Sequence, residues 1–186
     1  MSGLLKNIDS FQSEYYEKNN KNSLFKRNQK LELAKAISDN FSLDVLINNT
    51  CYTINGTNKV IIDYNILKLY ANIDNYETII TYIFNKFNQT IDNYGDFEVH
   101  MNLNSFTITA AERHKKMVEL FCNLCLKQNE KSFSNSCQKF IVYYCTTSIN
   151  QIGSLFMCFV DPAIKDKISL IKKEDSDVLW NSLSMS

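Results

Sequence analysis

Proline occurs once in this 186-residue chain, at Pro162, and glycine four times, at Gly3, Gly56, Gly95 and Gly153. So few glycines all but exclude the bare-backbone loops that cradle phosphate, and no G-x-G-x-x-G, Walker or G-x-S-x-G pattern occurs. Arginine is scarce too: Arg27 and Arg113 stand alone, so the positive charge is nearly all lysine. Proteins that read phosphates or guanine edges draw on several forked guanidinium groups. With 20 basic and 20 acidic side chains there is also no global pull toward a polyanion or an anionic membrane. Nucleic acid is therefore not an expected partner. No apolar run approaches the roughly 18 residues of a spanning helix, so no transmembrane segment is expected. The opening "MSGLLKNIDSFQSEYY" has neither the apolar core nor the cleavage site of a signal peptide. The expected location is intracellular, or a virion if the source is viral. The six cysteines should then be reduced thiols. "NNT", "NGT" and "NQT" become chance matches to the glycosylation pattern.

What is present is ordinary for a globular chain: 45% hydrophobic and 22% charged residues. A chain of this length buries roughly two-thirds of its unfolded surface and needs no disulfide or metal to fold. Asparagine, isoleucine, lysine and tyrosine are common, the residues of A/T-rich codons, as in some protists and large DNA viruses. The asparagines are interleaved with periodic apolar residues, so the chain is not low-complexity.

The patterning divides the chain into an N-terminal helical segment, 1–43, and an α/β domain, 44–186. In the first, Leu24, Leu31, Ala34 and Ile37 form an apolar stripe after a cap at Ser23. The second opens with β-prone runs around "NGTN", which predict a hairpin of Cys51–Ile54 with Lys59–Asp63. A capping box at Asp74 and Glu77 predicts a helix with Tyr76, Ile80, Ile83, Phe84 and Phe87 on one face. A strand follows over Asp96–Leu103. A second capping box, Thr109 with Glu112, predicts a helix to about Lys127 with Met117, Leu120, Phe121 and Leu124 inward. "KFIVYYCTT" reads as a strand apolar on both faces. Ser148 should cap a helix carrying Ile149, Ile152, Leu155, Phe156 and Phe159. "KISLI" is a last strand and "DSDVLWNSL" a last helical turn or two. Helices between strands demand parallel pairing. The expected class is α/β, an open, mostly parallel sheet of about five strands flanked by helices.

Three constellations bear on chemistry. Cys122 and Cys125 in "CNLC", with Cys137, Cys145 and His114, contain enough donors for zinc. The pair lies inside a predicted helix, though, and the others fall in a loop and a strand. Small apolar packing is the simpler reading, and no metal is expected. His114, early in a charged helix, is expected at the surface. The third lies in "YGDFEVHMNLNSFTIT", where Phe97, Val99, Met101 and Leu103 alternate with Glu98, His100, Asn102 and Asn104. Glu98, His100 and Asn102 are the candidate ligand- or partner-binding residues. The same row also fits a hydrogen-bonded structural face, and Glu98 with His100 at two-residue spacing fits acid–base work. No nucleophile is marked as their partner, so no catalytic residue and no cofactor is assigned.

Residues 58–172 resemble a CRAL-TRIO domain, a lipid-binding fold, in the order and spacing of blocks. "KVIIDYNILKLYANIDNYETIITYIF" is similar to the family's first core strand, loop and helix. "YGDFEVHMNLNSFTIT" is similar to its Gly-led strand and turn. "KFIVYYCTTSINQIGSLFMCFVDPAIKDKISLI" resembles its central strand, the helix after it and the closing strand. Two places depart from the pattern: "MNLNS" replaces an Asp and Gly-containing turn, and "YYCTTS" lacks the proline after the central strand. The resemblance implies a non-enzymatic protein binding a lipid or a protein partner, with one sheet face flooring an apolar cavity. A floor of Glu98, His100 and Asn102 would suit an acyl chain poorly, at about 1–3 kcal/mol for each unpaired polar group. Either the lipid site is lost, or Val99 and Met101 line it. The alternative function is a structural or assembly protein, such as a virion component, using the fold as a docking module. A small hydrolase or thiol enzyme built on His100 or Cys122 is the third.

Overall fold

A computed structural model describes residues 2–19, 26–127, 133–146 and 162–183. The element order is α1 (Ser2–Lys18), α2 (Lys26–Asn40), α3 (Leu43–Thr50), β1 (Cys51–Thr53), β2 (Lys59–Asp63), α4 (Tyr64–Tyr70), α5 (Tyr76–Tyr94) and β3 (Phe97–Asn102). Then come α6 (Ile108–Arg113), α7 (Lys115–Lys127), α8 (Phe133–Ser136), β4 (Cys137–Cys145), α9 (Pro162–Lys165), β5 (Ile168–Lys172) and α10 (Lys173–Leu183). The five strands form one sheet in the order β1-β2-β3-β4-β5. β1 pairs antiparallel with β2, and every later pair is parallel. The α/β class and the mostly parallel five-stranded sheet are as the sequence predicts. The helix expected after Ser148, with the cap at Ser23, lies outside the described residues.

Parallel strands in sequential order, joined by the right-handed crossovers that such units adopt, carry their connecting helices on one face. That face is mainly apolar, with Thr53 of β1, whose hydroxyl lies 3.4 Å from that of Thr90 of α5, a polar exception. Val60, Ile62, Phe97 and Val99 of the strands bury against Tyr76, Ile79, Ile83, Phe84 and Phe87 of α5. Ile8, Leu33 and Ile37 of the N-terminal helices join the same cluster. The aromatic rings interlock: Phe84 meets Phe133 with centroids 4.6 Å apart, and Phe87 stacks on Phe97 at 4.7 Å. Burying each such ring stabilises by about 1.5–3 kcal/mol.

Local chemistry decides the element ends, and in three places it differs from the sequence reading. "VLINNT", part of the block whose β-prone runs flank "NGTN", is the body of α3. Ser42 caps it by accepting the Val45 N–H at 3.5 Å. Asn48 and Asn49 fold their amides back onto carbonyls four residues earlier, at 2.8 and 2.7 Å, so a local cap outweighs weak β propensity. The capping box at Asp74 does not form. Asn72 and Asn75 interlock instead: the Asn72 N–H donates to Asn75 Oδ1 at 2.9 Å, and both side-chain amides donate to the Tyr70 carbonyl. Asp74 is thereby released to pair with Lys35 of α2. The cap of α6 is Thr107, accepting the Ala110 N–H at 3.2 Å, rather than Thr109. Elsewhere glycine does the expected work: Gly56 turns the hairpin at φ +73°, and Gly95 closes α5 at φ +84°.

Candidate functional site

The sheet's second face carries the polar row. Strand register aligns Lys59, Glu98 and Lys139 in one rank, then Ile61, His100 and Ile141. A third rank holds Asp63, Asn102 and Tyr143. Val99 and Met101 therefore belong to the helix-covered face, and Glu98, His100 and Asn102 to the other. Among the described residues the element packed over this second face is α10, whose Trp180 and Leu183 cluster with Ile61, Ile141 and Tyr143. Trp180 meets Tyr143 edge-on at 5.2 Å.

His100 is 3% exposed. Its Nδ1 lies 2.9 Å from the Tyr143 hydroxyl. Its Nε2 lies 3.4 Å from Oε2 of Glu98, off the direction a hydrogen bond needs. Lys139 donates to the other Glu98 oxygen at 2.9 Å. The neutral tautomer that serves both contacts accepts from Tyr143 at Nδ1 and turns Nε2–H toward Glu98. Burial pulls His100 below the ordinary histidine range; Glu98 opposes this, and Lys59 and Lys139 reinforce it. For Glu98, burial pushes upward, but the bond and charge of Lys139, with His100, outweigh it and hold the carboxyl low. Burial, then Glu98, raises the Tyr143 phenol.

Asn102 belongs to a neighbouring group. Its Oδ1 accepts the Asn104 N–H at 2.9 Å, and it stands opposite Asp63 in the strand register, where it helps hold that carboxyl down. Asp63 caps α4 through the Asn65 N–H at 2.8 Å. Burial raises this carboxyl, against the pull of Asn65, Lys68 and Asn102. The three candidate residues thus share a face, but Glu98 and His100 form one network and Asn102 another.

This arrangement is poor at acid–base chemistry. A general base needs a nitrogen lone pair directed at substrate, and His100 aims both nitrogens at protein atoms. A raised phenol is not an activated nucleophile. The thiols are no better: burial pushes Cys51 up to about 12 and Cys137 up to about 11, while nucleophilic cysteines have depressed values. Cys122 is buried, and Cys158 lies outside the described residues. Among those residues no group of three or more His, Cys, Asp or Glu side chains converges to hold a metal ion. No helix among them is long and apolar enough to cross a membrane.

His114 departs from its expected place. The chain breaks between α6 and α7 at this residue (φ −96°, ψ 10°), which re-phases the helix and turns the imidazole inward. It is 4% exposed, packed edge-on against Tyr64 and Tyr76, with Nδ1 3.1 Å from the Tyr76 hydroxyl. Burial, with the nearby Arg113 charge, pushes its pKa down to about 4.

Lys139, Tyr143 and Trp180 complete the Glu98–His100 network, and the sequence marks none of them as its partner. Only pairing brings Lys139, 41 positions away, onto Glu98. The C-terminal helix also grips a distorted point on β4. Tyr144 sits at φ +61° beside a register shift, costly for a bulky residue. Its N–H donates to Ser176 Oγ at 2.7 Å and its hydroxyl to Asp177 Oδ1 at 2.8 Å. Two open grooves flank this helix. One, of about 600 Å³, runs along β5 past Leu170, Glu174, Val178 and Leu179. The other, of about 400 Å³, lies over Tyr52, Ile54, Ile61 and Trp180. No protein-family model matches this chain, and no curated protein is significantly similar to it.

Proposed function

We propose that this chain is a non-enzymatic binding module, CRAL-TRIO-like in architecture, whose partner is a protein rather than a lipid. The observation that carries the reading is that the Lys139–Glu98–His100–Tyr143 network turns inward: Lys139 bonds Glu98, Tyr143 bonds His100 Nδ1, and His100 Nε2, which makes no hydrogen bond, is buried beside Glu98 rather than open to a substrate. The lipid version finds less support. The layer between sheet and helices is occupied by the rings of Phe84, Phe87, Phe97 and Phe133, where a lipid would need open space. The other face offers buried polar groups, which acyl chains avoid.

Native mass spectrometry of the purified protein, with solvent extraction of the same sample, tests this. The expected result is the mass of one polypeptide or of a whole number of polypeptides, with no added ligand mass, and an extract free of stoichiometric lipid. A tightly held hydrophobic molecule at one per chain would overturn the protein-partner version in favour of the lipid one. An assembly role is the second reading, favoured by the outer edge of β5, which no strand among the described residues pairs, and by the exposed aliphatic side chains beside it.

A further inference from the structure

The sheet's two edges are treated differently. β1, at one end, is three residues long, and α3 and α5 pack against it. β5, at the other end, is five residues long, and among the described residues no strand pairs with its outer side. Proteins usually guard such an edge with proline, a bulge, inward charge or a covering element, because it templates pairing with another chain. β5 reads Ile-Ser-Leu-Ile-Lys, with a single charge at its end. Leu170 is 47% exposed, and beside it on α10 Val178 is 75% and Leu179 43% exposed. These side chains line or border the groove of about 600 Å³.

The charges around this apolar centre carry both signs. Lys172 and Lys173 close the strand and open the helix, and Glu174 and Asp175 follow at once, all four exposed. A patch holding an apolar middle and adjacent opposite charges satisfies the condition for a two-fold contact, in which one surface must complement itself. A partner recognised by charge alone would call for one sign.

From this we infer that the chain self-associates across a two-fold axis at β5, extending the sheet edge to edge, with α10 of each copy flanking the joint. An antiparallel pairing centred on Leu170 sets that residue against its own counterpart and Ile168 against Lys172 of the second copy. The outward backbone groups of β5 then gain partners, Val178 and Leu179 leave water, and the lysines of one copy reach Glu174 and Asp175 of the other. This rests on the binding-module reading and names a second copy of the chain as the partner.

Sedimentation or light scattering on the full chain, from low to high micromolar, is the test. Wild type should pass from one to two chains with rising concentration. Leu170→Lys with Val178→Glu, both at exposed positions, should weaken association by roughly tenfold or more while leaving circular dichroism unchanged. The sharper arm is charge exchange. Lys172→Glu alone and Glu174→Lys/Asp175→Lys alone should each associate less than wild type, and their mixture should recover as a heterodimer. Wild type that stays a single chain throughout overturns the inference, and so does association indifferent to all these substitutions. Native mass spectrometry separates the two proposals. A lipid-free chain that stays single up to high micromolar concentration rejects self-association alone, while a stoichiometric lipid rejects the protein-partner reading.

Discussion

The two faces of one sheet solve the burial problem in opposite ways. On the helix-covered face the central strands turn apolar residues inward, and stability comes from area and ring packing, as with Phe87 stacked on Phe97. On the second face Glu98, His100 and Tyr143 are sheltered by a single helix among the described residues and stabilised by directed contacts. The first depends on volume and close fit. The second depends on geometry, so each group there is costly to orphan and worth little on its own. A polar strand face in an α/β protein is thus no evidence of a reactive site until its bonding is counted.

The contrast can be broken most forcefully on the apolar side. Phe87→Ala should cost about 3–5 kcal/mol by cavity formation, read as a lowered urea midpoint. A loss as small as that of a surface substitution would mean the ring layer is not the core. Next comes the buried histidine of the same side. His114 has a lowered folded pKa, so the unfolded chain binds more protons between pH 6.5 and about 4. Its contribution is therefore complete above 6.5 and is lost as pH falls through that window, by up to about 3 kcal/mol. His114→Gln should flatten the acid limb of stability against pH; an unchanged limb would assign acid sensitivity elsewhere. On the polar face the effect shrinks. Tyr143→Phe, which leaves His100 Nδ1 without its hydroxyl, should cost about 1–3 kcal/mol, and the His100 proton resonances should shift in the NMR spectrum. Smallest of all is Lys139→Met. The exposed lysine is screened by solvent, so the denaturation midpoint at neutral pH should fall only slightly, in step with a small rise of the Glu98 carboxyl toward its ordinary range, visible by carboxyl NMR titration.

Much of the fold was legible in the chain. The hairpin of Cys51–Thr53 with Lys59–Asp63, the stripe Tyr76–Phe87 and the alternation at Phe97–Asn102 are local periodicities, and local periodicity survives folding. The misread ends share one cause. Ser42, the Asn72–Asn75 pair and Thr107 compete with other nearby side chains for the same orphan N–H groups. Differences of about 1 kcal/mol decide such contests. The inward turn of His114 needed the helix break just before Lys115, which no single spacing announces. At the candidate site the row Glu98, His100 and Asn102 was visible, but its partners were not.

By itself the sequence determined that helices would alternate with strands in a parallel sheet and that one β3 face would be polar, because side-chain period is written residue by residue. Tertiary structure alone decided that Lys139 and Tyr143 answer Glu98 and His100, that Asn102 stands opposite Asp63 instead, and that no strand among the described residues pairs with the outer side of β5. Those outcomes depend on register between strands some 40 positions apart, and register is set by the cooperative packing of the whole sheet rather than by any segment's own preference.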